Sequence, residues 1–158
     1  MVKNILQIEN AKIIKRNFSG KESQYNRAGD RNFLVLIEDD EMAQNLIEDG
    51  WNIRILEPKE EGDTVKHYLP VKVSFDNIPP KIWVVKGKKR TRLTEETIEE
   101  LDYAQITNVD IAIRPYNWEV NNKSGVKAYV KTMYVTVEED EFAYKYSDDD
   151  ILDEDMPF

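Results

Sequence analysis

The chain has 158 residues, which is enough for one domain with its own hydrophobic core and a further unfolded segment. Cysteine is absent, which excludes a disulfide framework and a thiolate metal site. No run approaches the roughly 20 apolar residues of a membrane-spanning helix, so we expect no membrane association.

The net charge of −9 lies in one place, because residues 138–158 hold ten acids and one base. Subtracting these from the totals of 31 acids and 22 bases leaves 21 of each in residues 1–137. A neutral body can carry a basic face, so nucleic acid is not excluded as a partner. The N-terminal residues interrupt their apolar side chains with Glu9, Asn10 and Lys12, unlike a secretory signal, so we expect a cytoplasmic protein.

The N-terminal half predicts strands and one helix. Residues 4–18 alternate in part and predict a long strand, and 31–38 are apolar on both faces, as in a buried central strand. Residues 39–50 predict a helix with acids at its start, apolar residues at helical spacing and Gly50 as its stop. Further strands are expected at 51–57 and 67–76.

The C-terminal half predicts two hairpins with a short helix between them. KIWVVKGKKRTRL (81–93) reads as a strand pair about Gly87, and Thr94 is a candidate cap for a helix over 95–104. Residues 110–120 and 125–137 predict strands joined by the loop NNKSG. Many short strands with two short helices indicate a mainly β protein, either a small barrel or a sandwich.

The sequence offers little for catalysis. His67 is the only histidine, and neither a Walker-type nor a dinucleotide-binding glycine motif is present. The carboxylates come in runs (EDDE, KEEGD, EETIEE) that are typical of solvated faces and helix starts. A two-metal nuclease remains an alternative, because its acids need only meet in space. We predict no enzyme, no metal and no cofactor.

Cations and aromatic rings alternate along the last two predicted strands. Arg114, Tyr116 and Trp118 share one face of the first strand, and the second presents Lys127, Tyr129 and Lys131 in the same way. Unpaired nucleic acid needs such a surface, because its bases stack on rings and its phosphates contact cations. An ordinary half-exposed sheet face is the alternative, since Tyr and Trp favour strands and Lys keeps an edge soluble.

A basic hairpin forms a second candidate contact with a nucleic-acid backbone. Its members, beside Trp83, are Lys86, Lys88, Lys89, Arg90 and Arg92. A solvated loop is the commoner meaning of such a run. Arg27 and Arg31 could add to the same groove, unless Asp30 simply pairs with one of them.

Four segments carry a family resemblance: NAKIIKRNFSG, YNRAGDRNF, VKVSFDNIPPKI and IRPYNWEVNNKSGVKAYVKTMYV. Over residues 8–137 the chain resembles bacteriophage single-stranded DNA-binding proteins with an OB fold. The resemblance implies a five-stranded Greek-key barrel over residues 1–137 with a DNA groove on its face. It also implies a protein that coats single-stranded DNA without chemistry during phage replication, recombination or repair, in the cytoplasm of a bacterial host.

Two expectations stay open beside this resemblance. A protein-binding OB scaffold with no nucleic-acid role is the alternative function. The two helical insertions depart from the minimal bacterial type, so the oligomeric state does not carry over, and a homo-oligomer is possible.

The acidic segment 138–158 is predicted to be a disordered tail, because its composition cannot build a core. Its end is similar to the tails of bacterial and phage single-stranded DNA-binding proteins, which recruit replication or recombination proteins. The predicted docking residues are Asp148, Asp149, Asp150, Asp153, Glu154, Asp155, Pro157 and Phe158. A tail made for solubility alone is the alternative, but it leaves the Phe unexplained.

Overall fold

The computed structural model describes residues 2–24, 26–56, 61–62, 65–76 and 78–139, which form a mainly β protein. The described strands are β1 (Leu6–Ile8), β2 (Lys12–Asn17), β3 (Arg31–Ile37), β4 (Arg54–Leu56), β5 (Lys66–Val73), β6 (Lys81–Lys86), β7 (Lys89–Leu93), β8 (Ile106–Val120) and β9 (Lys123–Val137). The helices are α1 (Asp40–Asp49) and a 3-10 helix (Ile98–Asp102). No helix in these ranges is long and apolar enough to cross a membrane.

A kink in the N-terminal strand closes the sheet. The strand order is β1-β8-β9-β5-β3-β2, so the two ends of the sheet are consecutive pieces of the chain. Asn10 between them has φ 52°, and the Ala11 amide donates a hydrogen bond of 2.7 Å to the Val109 carbonyl on β8. The single strand predicted over 4–18 is therefore wrong, because its two halves pair with different partners. Counted as one kinked strand, they complete a five-stranded ring with β3, β5, β8 and β9, as an OB fold requires.

The core lies inside this ring. Alternate residues of β3 and β5 point inward, and Phe33, Val35, Leu69 and Val71 are fully buried. Phe18 closes one end of the core with its ring centroid 5.2 Å from that of Phe33. β3 lies between β2 and β5, which confirms it as a central strand.

The first predicted helix is confirmed, and the second is present only as a shorter 3-10 helix. Asp39 caps α1 by accepting from the Glu41 amide at 3.0 Å, and Gly50 ends it with φ 106°. Residues 95–104 form a turn and a 3-10 helix instead of an α-helix. The buried residues Ile98 and Leu101 are three apart, the spacing that a 3-10 helix aligns.

Both predicted hairpins are present. Five residue pairs join β6 to β7 about Gly87. The β8–β9 turn is shorter than the predicted loop, because Asn121 and Asn122 alone form it, with φ 52° and 67°. Two successive positive φ values favour Asn, and this turn suits the twist of the flanking strands. Lys123, Ser124 and Gly125 consequently belong to β9.

Candidate nucleic-acid interface

The register of β8 and β9 brings the predicted aromatic and basic residues together. Arg114 lies opposite Tyr129, Tyr116 opposite Lys127, and Trp118 opposite Gly125. Residues directly opposite each other in an antiparallel pair share a face, and the core residues Ile113 and Val130 lie on the reverse. The outer face therefore presents these five side chains side by side.

Neighbouring strands extend this row. On the other side of β9, Lys72 of β5 lies opposite Tyr129, and Asn32 of β3 lies opposite Lys72. A first row thus crosses four strands in the order Asn32, Lys72, Tyr129 and Arg114. Lys72 was not predicted, because the parallel pairing of β5 with β9 leaves no local mark in the sequence.

A β-bulge turns a second aromatic residue outward. Ala112 pairs with Thr132 but Ile113 pairs with Val130, so Lys131 is an extra residue in β9. Simple alternation from Tyr129 would place Met133 on the outer face, yet Met133 is fully buried. The extra residue reverses the phase, and Tyr134 points outward instead. Sequence reasoning missed Tyr134 for this reason.

Tyr134 belongs to a second row, which crosses from β7 to β8. Its members in order are Arg92, Trp83, Tyr134 and Asp110. The Trp83 and Tyr134 ring centroids are 6.4 Å apart and their planes differ by 9°. We call the combined surface the aromatic face. It comprises Lys72, Trp83, Arg90, Arg92, Arg114, Tyr116, Trp118, Lys127, Tyr129, Lys131 and Tyr134.

Two guanidinium groups of the basic hairpin converge on one indole. The Cζ atoms of Arg90 and Arg92 lie 5.4 and 5.5 Å from the Trp83 ring centroid. Cation–π attraction of this kind holds the two charges at the surface beside the rings. The other three hairpin bases, Lys86, Lys88 and Lys89, are exposed near the turn.

The remaining rings are positioned by contact with one another or with backbone. Tyr116 and Tyr129 meet edge to face, with centroids 6.1 Å apart and planes at 88°. Trp118 lies directly against Gly125, where an added Cβ would be only 2.8 Å from Cζ2 of the indole. One indole face is therefore backed by the main chain of β9.

The cations of the aromatic face are not neutralised by nearby acids in the part of the chain that the structure describes. There, ion pairs within 4.0 Å join Lys12 to Glu38, Arg31 to Glu95 and His67 to Asp40. No three acidic or histidine side chains in these ranges come together as metal ligands.

The two arginines predicted beside the groove have different positions. Arg31 lies on the same face of β3 as the core residue Phe33. It contacts Glu95 at 3.7 Å, and its guanidinium carbon lies 5.7 Å from the Phe75 ring centroid. It therefore lies away from the aromatic face, and Glu95 rather than Asp30 is its partner. Arg27 is exposed on the loop before β3, which a 2.7 Å hydrogen bond from Asn32 to Asn26 ties to the first row.

The same loop carries a second cation beside a ring. Lys21 donates a hydrogen bond of 3.2 Å to the Tyr103 hydroxyl, and its Nζ lies 5.7 Å from the ring centroid. The pKa of Lys21 is raised, first by that hydrogen bond and then by electrostatic interaction with Tyr103. This contact with Tyr103 favours the charged form of the Lys21 ammonium group.

The start of the acidic segment lies beside the basic hairpin. An added Cβ at Gly87 would be 2.7 Å from Oε1 of Glu139, so this carboxylate rests on the β6–β7 turn. The predicted docking residues, Asp148, Asp149, Asp150, Asp153, Glu154, Asp155, Pro157 and Phe158, lie outside the described residues. The domain boundary predicted after residue 137 stays a prediction.

A family model described as "Putative phage ssDNA-binding domain" matches residues 1–157. The chain belongs to this phage ssDNA-binding family. The resemblance seen in the sequence is thereby confirmed. No curated protein matches the sequence.

Solved structures of phage proteins share the fold of this family member. The single-stranded DNA-binding protein from bacteriophage Enc34 in complex with ssDNA matches with a TM-score of 0.57 and 10% identity, covering 87% of this chain and 89% of that one. A further structure of the single-stranded DNA-binding protein from bacteriophage Enc34 matches with a TM-score of 0.54 and 13% identity, over 94% of this chain and 90% of that one. A C-terminal truncation matches with a TM-score of 0.55 and 11% identity, over 86% and 87%.

Proposed function

We propose that this chain binds single-stranded DNA through the aromatic face and does so with broad sequence tolerance. The observation that carries the proposal is the pair of rows set by strand register. In the first row Tyr129 of β9 lies between Lys72 and Arg114, and in the second row Tyr134 of β9 lies beside Trp83, which Arg92 flanks on its other side. Bases stack on such rings, contributing about 1–3 kcal/mol each, while the cations contact the phosphates.

The geometry favours unpaired over paired DNA. Rings can stack only on bases whose faces are free, whereas in a duplex each base face already contacts its neighbours. The cations attract either form through their phosphates, so charge alone would not discriminate between the two. The preference for single strands therefore depends on the rings, and its salt dependence depends on the cations.

The biological role we propose is coating and protection of exposed strands during phage DNA replication, recombination or repair, in the cytoplasm of a bacterial host. Membership of the phage ssDNA-binding family supports this role, as does the likeness to an Enc34 protein solved with ssDNA. We further propose that the acidic tail recruits replication or recombination proteins. In that role the apolar Phe158 enters a pocket while nearby acids face a basic rim.

A gel shift with oligo-dT and a duplex of equal length, at two salt concentrations, tests the DNA-binding proposal. We expect the wild type to shift oligo-dT at concentrations that leave the duplex free, with weaker binding at the higher salt. Tyr129→Ala should weaken the shift, whereas Tyr103→Ala, an exposed tyrosine outside the aromatic face, should not. Equal binding of both DNAs would point to a charge effect and reject the stacking face.

A parallel incubation with Mg²⁺ or Mn²⁺ addresses the nuclease alternative. We expect the labelled strand to remain intact. Metal-dependent cleavage by the purified protein would replace the binding proposal with a catalytic one.

A further inference from the structure

A cleft lies between the two rows of the aromatic face. It is an open depression of about 430 Å³ centred on the outer surface of β8 and bounded by β1 and β9. Its floor carries the small residues Ala112 and Thr132, which lie opposite each other, and Gln7 of β1 lies on the far side of Ala112.

The walls of the cleft combine one aromatic ring with acidic and basic side chains. Tyr134 forms one wall, and Asp110 lies directly opposite it across the β8–β9 pair. Glu9 and Lys131 line the rim. The cleft is continuous with the second row, because Tyr134 also lies beside Trp83.

The carboxylate of Asp110 is held in place. Its Oδ1 accepts a hydrogen bond of 2.9 Å from the Asn10 amide, at the kink between β1 and β2. A carboxylate has acceptor capacity on both oxygens, so a second donor can approach from the cleft. The ring, the fixed acceptor and the nearby cation match the three parts of a nucleotide: a base face, a base amino group and a phosphate.

We propose that this cleft receives one base of the bound strand and selects bases that carry an amino group, with cytosine as the test case. The inference rests on the proposed function. Cytosine N4 donates to a carboxylate, whereas thymine presents the O4 acceptor at the same position, so two acceptors with no proton between them would face each other at Asp110. One such contact predicts a preference for oligo-dC over oligo-dT of about five-fold.

The test compares the affinity ratio of oligo-dC to oligo-dT, measured by fluorescence anisotropy in mildly alkaline buffer, where cytosine stays unprotonated. A third oligonucleotide carries 2-pyrimidinone, which has the shape of cytosine without its amino group. The ratio is the readout because removing any acid raises affinity for all DNA. We expect the wild type to prefer oligo-dC over both other strands.

Three variants test whether the preference for oligo-dC arises in the cleft. Asp110→Asn keeps an acceptor for the Asn10 amide but removes the charge, so the ratio should fall to about one or reverse. Ala112→Leu should abolish the preference by filling the cleft, which keeps the proposal testable if Asp110→Asn folds poorly. Glu119→Gln removes an equal charge from an exposed β8 residue that does not line the cleft, and it should leave the ratio unchanged.

The outcomes distinguish base selection by the cleft from single-stranded DNA binding by the aromatic face. If the wild type binds oligo-dC and oligo-dT better than duplex but equally well, the cleft inference is overturned and the proposed function stands. A preference that survives both Asp110→Asn and Ala112→Leu also overturns it. If no single strand binds better than duplex, the proposed function itself fails.

Discussion

Gly125 lies beneath the Trp118 indole, and its replacement by alanine tests the position of that ring without removing it. The new Cβ would lie 2.8 Å from Cζ2, whereas ordinary contact begins at 3.4 Å, so the ring must move by at least 0.6 Å, the difference between the two. A gap of roughly 0.5–1 Å forfeits a quarter to a half of a van der Waals contact. Since stacking contributes about 1–3 kcal/mol per base, Gly125→Ala should cost about 0.3–1.5 kcal/mol of binding.

The assay is anisotropy of a labelled oligo-dT titrated with wild type, Gly125→Ala, Trp118→Ala and the control Ser124→Ala. We expect dissociation constants to rise in the order wild type, Gly125→Ala, Trp118→Ala, with Ser124→Ala equal to wild type. Circular dichroism checks the fold, and glycine-to-alanine changes in compatible backbone are often mildly stabilising. Normal binding by a folded Trp118→Ala would refute the assignment of this ring to the DNA site.

Four further outcomes are expected. Tyr116→Ala and Tyr129→Ala should each lose about 1–3 kcal/mol of ssDNA affinity by anisotropy, and oligo-dT should quench tryptophan fluorescence; unchanged affinity in both variants would place the groove elsewhere. Binding should weaken log-linearly with salt, with a slope of about −0.7 per phosphate neutralised, and Arg92→Gln should reduce that slope by about 0.7; a salt-independent affinity would contradict the electrostatic part. Deleting residues 147–158 should raise ssDNA affinity, mostly at low salt, because a tethered acidic segment competes for the same cations. Removing Phe158 alone should leave DNA binding unchanged but abolish the capture of partner proteins in a pull-down. Identical capture by the full-length protein and the protein lacking Phe158 would mean that the tail serves only solubility.

Nine of the eleven residues of the aromatic face are predictable from the sequence, through the alternation of side chains in the last two strands and through the basic hairpin. From Val109 to Val120 and in the first part of β9 the period of two is unbroken, so the sequence alone predicts that Arg114, Tyr116 and Tyr129 share one face. The hairpin was predictable too, because its turn residues favour positive φ. The sequence is sufficient to predict which residues share a face where the strand has no bulge and the turn residues fit the turn.

Tyr134 and Lys72 were not predictable, for two physical reasons. The bulge at Lys131 depends on the pairing of β8 with β9, and nothing in the local sequence marks the phase change that turns Tyr134 outward. Lys72 joins the first row through a parallel contact between segments more than 50 residues apart. The position of Arg31 was not predictable for a related reason, since a strand that is apolar on both faces does not reveal which face its first residue occupies.

The most direct measurement is photo-crosslinking of the full-length protein to an oligo-dT that carries 5-iodouracil, followed by mass spectrometry of the linked peptides. We expect crosslinks at Trp83, Tyr116, Trp118, Tyr129 and Tyr134, and their loss when excess unlabelled single strand is added. Crosslinks confined to Tyr103 or to the outside of α1, with none on β6, β8 or β9, would contradict this expectation.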